Sequence, residues 1–193
     1  MNLPNKLTMF RICMVPVFLV LLCVDLPMSD TAMRIATAAV FAVTSLTDML
    51  DGKIARKYDL ITDFGKFMDP LADKFLVIAA MLGILVRFDY LRPVFVWAAA
   101  IVIFREFAVT SLRLVVAGKA GIVVAAAWLG KVKTTLQMIC IVCVLLEPVI
   151  LPFAPFTEYH ILSYVTIAAM VVMTVWSGID YLKVYWPYIT ATK

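Results

Sequence analysis

The amino-acid sequence predicts an all-α, polytopic membrane protein of six transmembrane helices with a short N-terminal interfacial helix. Three observations lead there. Hydrophobic residues make up 64% of the chain and charged residues only 16%, at a mean hydropathy of +1.01, which excludes an ordinary soluble domain. The 193 residues divide into six apolar runs, and a helix needs roughly 20 such residues to cross a bilayer. Lys and Arg gather on one set of alternate connections, as the positive-inside rule requires of a multi-pass protein. The net charge of +4 is too small to indicate nucleic acid. With no linker or repeat in view, residues 1–193 read as one membrane domain.

Residues 2–11, NLPNKLTMFR, are polar enough for the interfacial helix, and the apolar run 12–24 forms the first span. No small-residue cleavage site follows that run, so it is read as retained rather than as a signal peptide. The second span covers about 32–55, a polar turn fills 56–66, and the third span covers about 67–86. Pro70 falls in the third span's first turn, where its missing donor does little harm. The fourth span begins at Pro93 and reaches about Val116, and the fifth ends before Glu147–Pro148. Three prolines, Pro148, Pro152 and Pro155, mark 147–158 as a loop, and the sixth span covers about 159–182. Trp176, Tyr181, Tyr185, Trp186 and Tyr188 have the pattern of an interfacial aromatic belt.

On this division twelve of the 17 Lys and Arg residues lie on one side, only Arg34, Arg87 and Arg92 on the other, and Lys74 and Arg105 inside spans. Both termini and the 56–66 turn are therefore expected in the cytoplasm, on a multi-pass protein of the cell membrane. Cys13, Cys23, Cys140 and Cys143 all sit in apolar runs and read as small buried side chains, without a disulfide or a metal role. His160, the single histidine, reads as a solvated loop residue on the outer side, and the eleven methionines as packing or lipid-facing residues.

The chain's chemistry is concentrated between Asp48 and Asp73. Asp48, Asp51, Asp69 and Asp73 are spaced three, eighteen and four residues apart, straddling the 56–66 turn. At about 100° per residue Asp48, Asp51, Gly52 and Ala55 share one narrow helical arc, with Arg56 at its edge. Gly65, Asp69 and Asp73 share another on the next helix, advancing by about 40° each. A helical hairpin would bring all four acids together, and carboxylates at a membrane edge are costly unless a cation neutralises them. Oxygen donors without Cys or clustered His select Mg²⁺ or Mn²⁺ first and Ca²⁺ second, and four acids suffice for two ions. Small residues on the same arc leave room for a bulky group, and Arg56 can bind a phosphate through its fork of donors.

The eight positions spell D-x2-D-G-x2-A-R-x8-G-x3-D-x3-D, from Asp48 through Asp51, Gly52, Ala55, Arg56, Gly65 and Asp69 to Asp73. This pattern resembles the signature of the CDP-alcohol phosphatidyltransferases at every position. The resemblance implies a six-helix membrane enzyme, usually a homodimer, that transfers a phosphatidyl group from CDP-diacylglycerol to an alcohol and releases CMP. It further implies that Asp48, Asp51, Asp69 and Asp73 hold two divalent ions, Mg²⁺ or Mn²⁺, and that Asp73 also deprotonates the attacking hydroxyl. Gly52, Ala55, Arg56 and Gly65 would lie against CDP-diacylglycerol.

The acceptor is sought elsewhere. Arg105 lies about 18 Å along the fourth span, at about 1.5 Å per residue, and an arginine at that depth is expensive unless it faces an aqueous cavity. Arg113, Lys131 and Lys133 add cations near the same side, which suggests an anionic acceptor such as a polyol phosphate. NLPNKLTMFR, REFAVTSLR and GKVKTTLQ resemble the bacterial phosphatidylglycerophosphate synthase branch of the family, whose acceptor is sn-glycerol 3-phosphate. That resemblance assigns Arg105, Arg113, Lys131 and Lys133 to the acceptor phosphate, and brings Asn5, Thr8 and Arg11 to the site from the interfacial segment. Serine, inositol phosphate and phosphatidylglycerol are the competing acceptors, and serine, having no phosphate, fits the basic cluster poorly. A divalent-cation transporter is the competing class, but it should place its acids near the midplane rather than at one end of the spans. Asp73→Asn is expected to keep the fold and abolish transfer, measured as CMP release by purified protein; near-wild-type turnover would refute Asp73 as the base.

Overall fold

The computed structural model describes the backbone of residues 3–58, 63–120 and 128–190, and their side chains except those of 3–4, 48–58, 63–67, 69–70, 73, 119–120 and 187–190. Among the described residues the chain is all-helical, with seven helices: α1 (Leu3–Cys23), α2 (Asp30–Tyr58), α3 (Asp63–Arg87), α4 (Arg92–Ala120), α5 (Trp128–Ile150), the single turn α6 (Phe156–Tyr159) and α7 (Ile161–Thr190). α2, α3, α4 and α7 begin within a few residues of the expected spans.

The expected interfacial helix and first span are one element. α1 runs unbroken through residue 11, with Pro16 inside it. Its buried residues are Asn5, Thr8, Arg11, Val15, Phe18 and Leu22, so a single inward stripe is polar at its start and apolar beyond. Their three- and four-residue spacing keeps one face of a continuous helix against the bundle, and a bend at residue 11 would split that stripe.

Among the described residues four helices, α1, α4, α5 and α7, are long and apolar enough to cross a membrane. α2 and α3 have 29 and 25 residues, ample length at about 1.5 Å per residue. Helix contacts close a ring in the order α1, α3, α4, α7, α5, α2 and back to α1, with α3 also touching α5. The main core lies inside this ring, built from Phe18, Phe41, Leu76, Met81, Phe95, Ile141 and their neighbours. α1 and α3 approach closely at Gly83, where a Cβ would fall 2.7 Å from Leu22 Cδ2.

The fifth span departs from expectation at its end. α5 continues through Glu147 and Pro148 to Ile150, because only one turn follows and the Glu147 carbonyl still accepts from Leu151 N at 2.9 Å. Glu147 is fully buried and serves α7: its carboxylate accepts from Leu162 N at 2.7 Å, from Ser163 N at 2.9 Å and from the Ser163 hydroxyl. A carboxylate on the free N–H groups of a helix start is favoured by both hydrogen bonding and the helix dipole.

His160 is likewise not a freely solvated loop residue. It caps α6 at φ 48°, and its ring stacks on Tyr90 with centroids 3.8 Å apart. Burial, aided by Arg34, pushes its imidazole below the usual pKa, against the opposing pull of Glu147. Arg34 itself is buried, bonded to Asp30 at 2.6 Å and to the Leu145 carbonyl at 3.3 Å, over the Phe88 ring. This end of the bundle is therefore closed by paired charges and capped helices. Glu147→Ala should destabilise the protein by about 1–3 kcal/mol, the scale of a lost cap with donors left buried, read as a fall in the thermal midpoint of solubilised protein. Glu147→Gln should recover part of that loss.

Candidate functional site

At the other end of the ring, α3, α4 and α5 enclose a cavity of about 400 Å³. α4 contributes Arg105, Glu106, Val109, Thr110 and Arg113, a face repeating every three or four residues. α5 contributes Gly130, Lys131, Lys133, Thr134 and Thr135 from its first turns, and α3 contributes Lys74. The four cations expected at the acceptor site thus line one cavity, and Lys74 joins them as a fifth.

Among the described residues, Glu106 is the one carboxylate in this lining. Its Oε1 accepts from Lys133 Nζ and lies 3.5 Å from Arg105 Nη1. The Arg105 guanidinium also donates to Ser177 Oγ at 2.5 Å from α7. Lys74 Nζ donates to Thr110 Oγ1, which in turn donates to the Glu106 carbonyl at 2.7 Å. Arg113 Nη2 donates to the Tyr181 hydroxyl. Among the described side chains five cations face one carboxylate, an excess of positive charge, and Lys133 is only 3% exposed. Cations so shielded from water attract an anion with several acceptor oxygens more strongly than exposed ones do. Lys131, by contrast, stands exposed at the rim.

Asn5, Thr8 and Arg11 are buried on the inward face of α1 and are not among the lining residues of this cavity. Asp48, Asp51, Gly52, Ala55 and Arg56 fall in the last third of α2, and Gly65, Asp69 and Asp73 in the first three turns of α3. The side chains of these eight residues lie outside the described ones. Among the described residues no three His, Cys, Asp or Glu side chains cluster as metal ligands. Along the backbone, Asp73 directly precedes Lys74, whose side chain lines the cavity.

Tyr181 corrects the sequence reading. It was expected in the aromatic belt, yet it is 1% exposed and packs behind the cavity with Val109, Leu112 and Val116. Trp176 and Trp186, of the same expected belt, are well exposed, and Tyr188 lies outside the described side chains. Glu106, Thr110 and Ser177 were not singled out for the site. The available signals were the four-residue spacing of Glu106 and Thr110 on α4, and of Ser177 and Tyr181 on α7.

The model of one protein family, the CDP-alcohol phosphatidyltransferases, matches residues 1–177. The chain belongs to that family. Individual relatives extend the match over nearly the whole chain. A Bacillus subtilis (strain 168) protein named CDP-diacylglycerol–glycerol-3-phosphate 3-phosphatidyltransferase is 44% identical over 197 residues, covering 96% of this chain and 95% of its own. An Escherichia coli (strain K12) protein of the same name is 38% identical, covering 94% and 93%. A Mycobacterium tuberculosis (strain H37Rv) protein named probable phosphatidylglycerophosphate synthase is also 38% identical, covering 94% and 80%.

Within this family member, Lys133 and Lys131 should behave differently although two residues apart. Lys133→Met should lower both stability and turnover, turnover by at least about tenfold, because it leaves a shielded Glu106 with one cation fewer. Lys131→Met at the exposed rim should change stability by less than about 0.5 kcal/mol. Thermal midpoints and CMP release measured on the two variants side by side check this.

Proposed function

We propose that this protein transfers the phosphatidyl group of CDP-diacylglycerol to sn-glycerol 3-phosphate, giving phosphatidylglycerol phosphate and CMP. The observation that carries the reading is the convergence of Arg105, Arg113, Lys131 and Lys133 on one cavity that begins at the residue after Asp73. Relatives of 38–44% identity named for this transferase activity or as a probable phosphatidylglycerophosphate synthase support it.

Four carboxylates on two helices, with oxygen as the only donor type, suit a hard divalent cation. Asp48, Asp51, Asp69 and Asp73 would hold two ions, Mg²⁺ or Mn²⁺. Bound there, the ions would supply positive charge that offsets the pyrophosphate and the departing CMP. The chain's own residues do the rest. Gly52, Ala55, Arg56 and Gly65 lie along the cytidine diphosphate, small side chains admitting the nucleotide and Arg56 pairing with a phosphate oxygen. The cationic cavity holds the acceptor's phosphate by charge-assisted hydrogen bonds and so aims its free hydroxyl at the donor. Asp73 takes the hydroxyl proton as the acceptor oxygen bonds to the phosphatidyl phosphorus and the bond to CMP breaks. Asn5, Thr8 and Arg11 bound the site from α1.

The protein works as a six-span homodimer in the cell membrane, with α2 and α3 spanning beside α1, α4, α5 and α7 and the site facing the cytoplasm. The excess of Lys and Arg on the site's side supports that orientation. A donor that carries its own lipid tails explains a site at the end of membrane helices.

CMP release by purified protein, with CDP-diacylglycerol and Mg²⁺ or Mn²⁺, tests the reading across a panel of acceptors. Release is expected with glycerol 3-phosphate and not with serine, inositol phosphate, phosphatidylglycerol or no acceptor, and EDTA should abolish it. Release with another acceptor would discard the acceptor assignment alone. No release from folded protein would reopen ion transport.

A further inference from the structure

Tyr181 touches both arginines of the cavity without lining it. Its hydroxyl accepts from Arg113 Nη2, and its ring lies beneath the two guanidiniums, 4.9 Å from Arg113 Cζ and 5.4 Å from Arg105 Cζ. Tyr185 backs it with centroids 5.9 Å apart and planes 23° from parallel. One turn earlier, Ser177 Oγ accepts from Arg105. Gly178 makes room for the stem of the same arginine, since a Cβ there would lie 3.3 Å from Arg105 Cγ. Two guanidiniums over one ring repel each other, and the negative face of the ring offsets part of that repulsion. The ring is in contact with both cations. Unheld arginine side chains keep rotamer entropy that binding must overcome.

We infer that Tyr181, with Ser177 and Gly178, is a positioning platform that sets the spacing and aim of Arg105 and Arg113 and so determines affinity for the acceptor's phosphate. The inference rests on the proposed acceptor site and adds α7 to it. Tyr181 is a positioning residue: it acts through the arginines and does not meet the acceptor.

The platform predicts an effect confined to one substrate. Tyr181→Phe keeps the ring and loses the hydroxyl, Tyr181→Leu loses both, and Gly178→Ala crowds Arg105. With each variant in phosphatidylcholine nanodiscs, the KM for glycerol 3-phosphate, the KM for CDP-diacylglycerol and kcat are measured. Calorimetry with inorganic phosphate, donor absent, reads the cation pair directly. The KM for glycerol 3-phosphate and the phosphate Kd should rise together, about 3–10-fold in Tyr181→Phe and about 30–100-fold in Tyr181→Leu, with donor KM within about twofold. Gly178→Ala should fall at or below the phenylalanine variant. Should Tyr181→Leu fail to fold, the graded response of the two milder variants carries the same test.

Unchanged phosphate affinity across the variants would overturn the platform. So would an equal rise in both KM values, which is the mark of a merely structural residue. A wild-type protein that binds no phosphate would also overturn it. Phosphate binding that weakens as expected, in a protein that uses another phosphate-bearing acceptor, would uphold the platform and remove only glycerol 3-phosphate.

Discussion

Lys133 from α5 and Arg105 from α4 meet at one carboxylate, Glu106, in a cavity whose other described charges are all positive. Away from water such an arrangement is held by geometry as much as by attraction, because each cation loses hydration that a single acid cannot replace. The rest of the described structure serves that constraint. Thr110 engages Lys74, Ser177 engages Arg105, and the Tyr181 ring spreads beneath Arg105 and Arg113. These neutral partners orient the cations without cancelling them. The positive charge stays available to an anionic ligand.

The helix ring makes this possible. α7 lies between α4 and α5 in the ring, so its residues reach the arginines of one and pack near the first turns of the other. The opposite end of α7 is tied down where buried Glu147 accepts from Leu162 and Ser163. A helix fixed at its start and packed along both neighbours has little freedom to slide. The placement of Tyr181, buried against Val109, Leu112 and Val116, thus depends on packing along the helix. Charge is handled in opposite ways at the two ends: paired and capped around Arg34 and Glu147, and left in positive excess around Glu106.

The helical fold was largely legible from apolar runs of bilayer length, which is why the starts of α2, α3, α4 and α7 were expected within a few residues. The two misjudged boundaries have local causes. A polar segment followed by an apolar one suggested a break at residue 11, but a stripe with period 3.6 passes through both. A proline suggested the end of α5 at Glu147, but a helix near its last turn tolerates one. The cationic residues of the cavity were also legible, since buried arginine and lysine need an aqueous or ionic role. Tyr181 was not, because an aromatic residue near a helix end has the same sequence signal facing lipid or facing two arginines.

Sequence alone determined the helical class, the family signature from Asp48 to Asp73 and the residue types able to bind phosphate. These follow from composition, from hydrophobic period and from fixed spacing along one chain, all of which are local properties. Only the tertiary structure decided that Lys74, Arg105, Arg113, Lys131 and Lys133 share one cavity, that Glu106 pairs with Arg105 and Lys133, and that Tyr181 stands behind Arg105 and Arg113. Those relations join residues such as Arg113 and Tyr181, which are 68 positions apart. The rotation of each helix about its own axis, set by packing against its neighbours in the ring, is what brings such distant residues face to face.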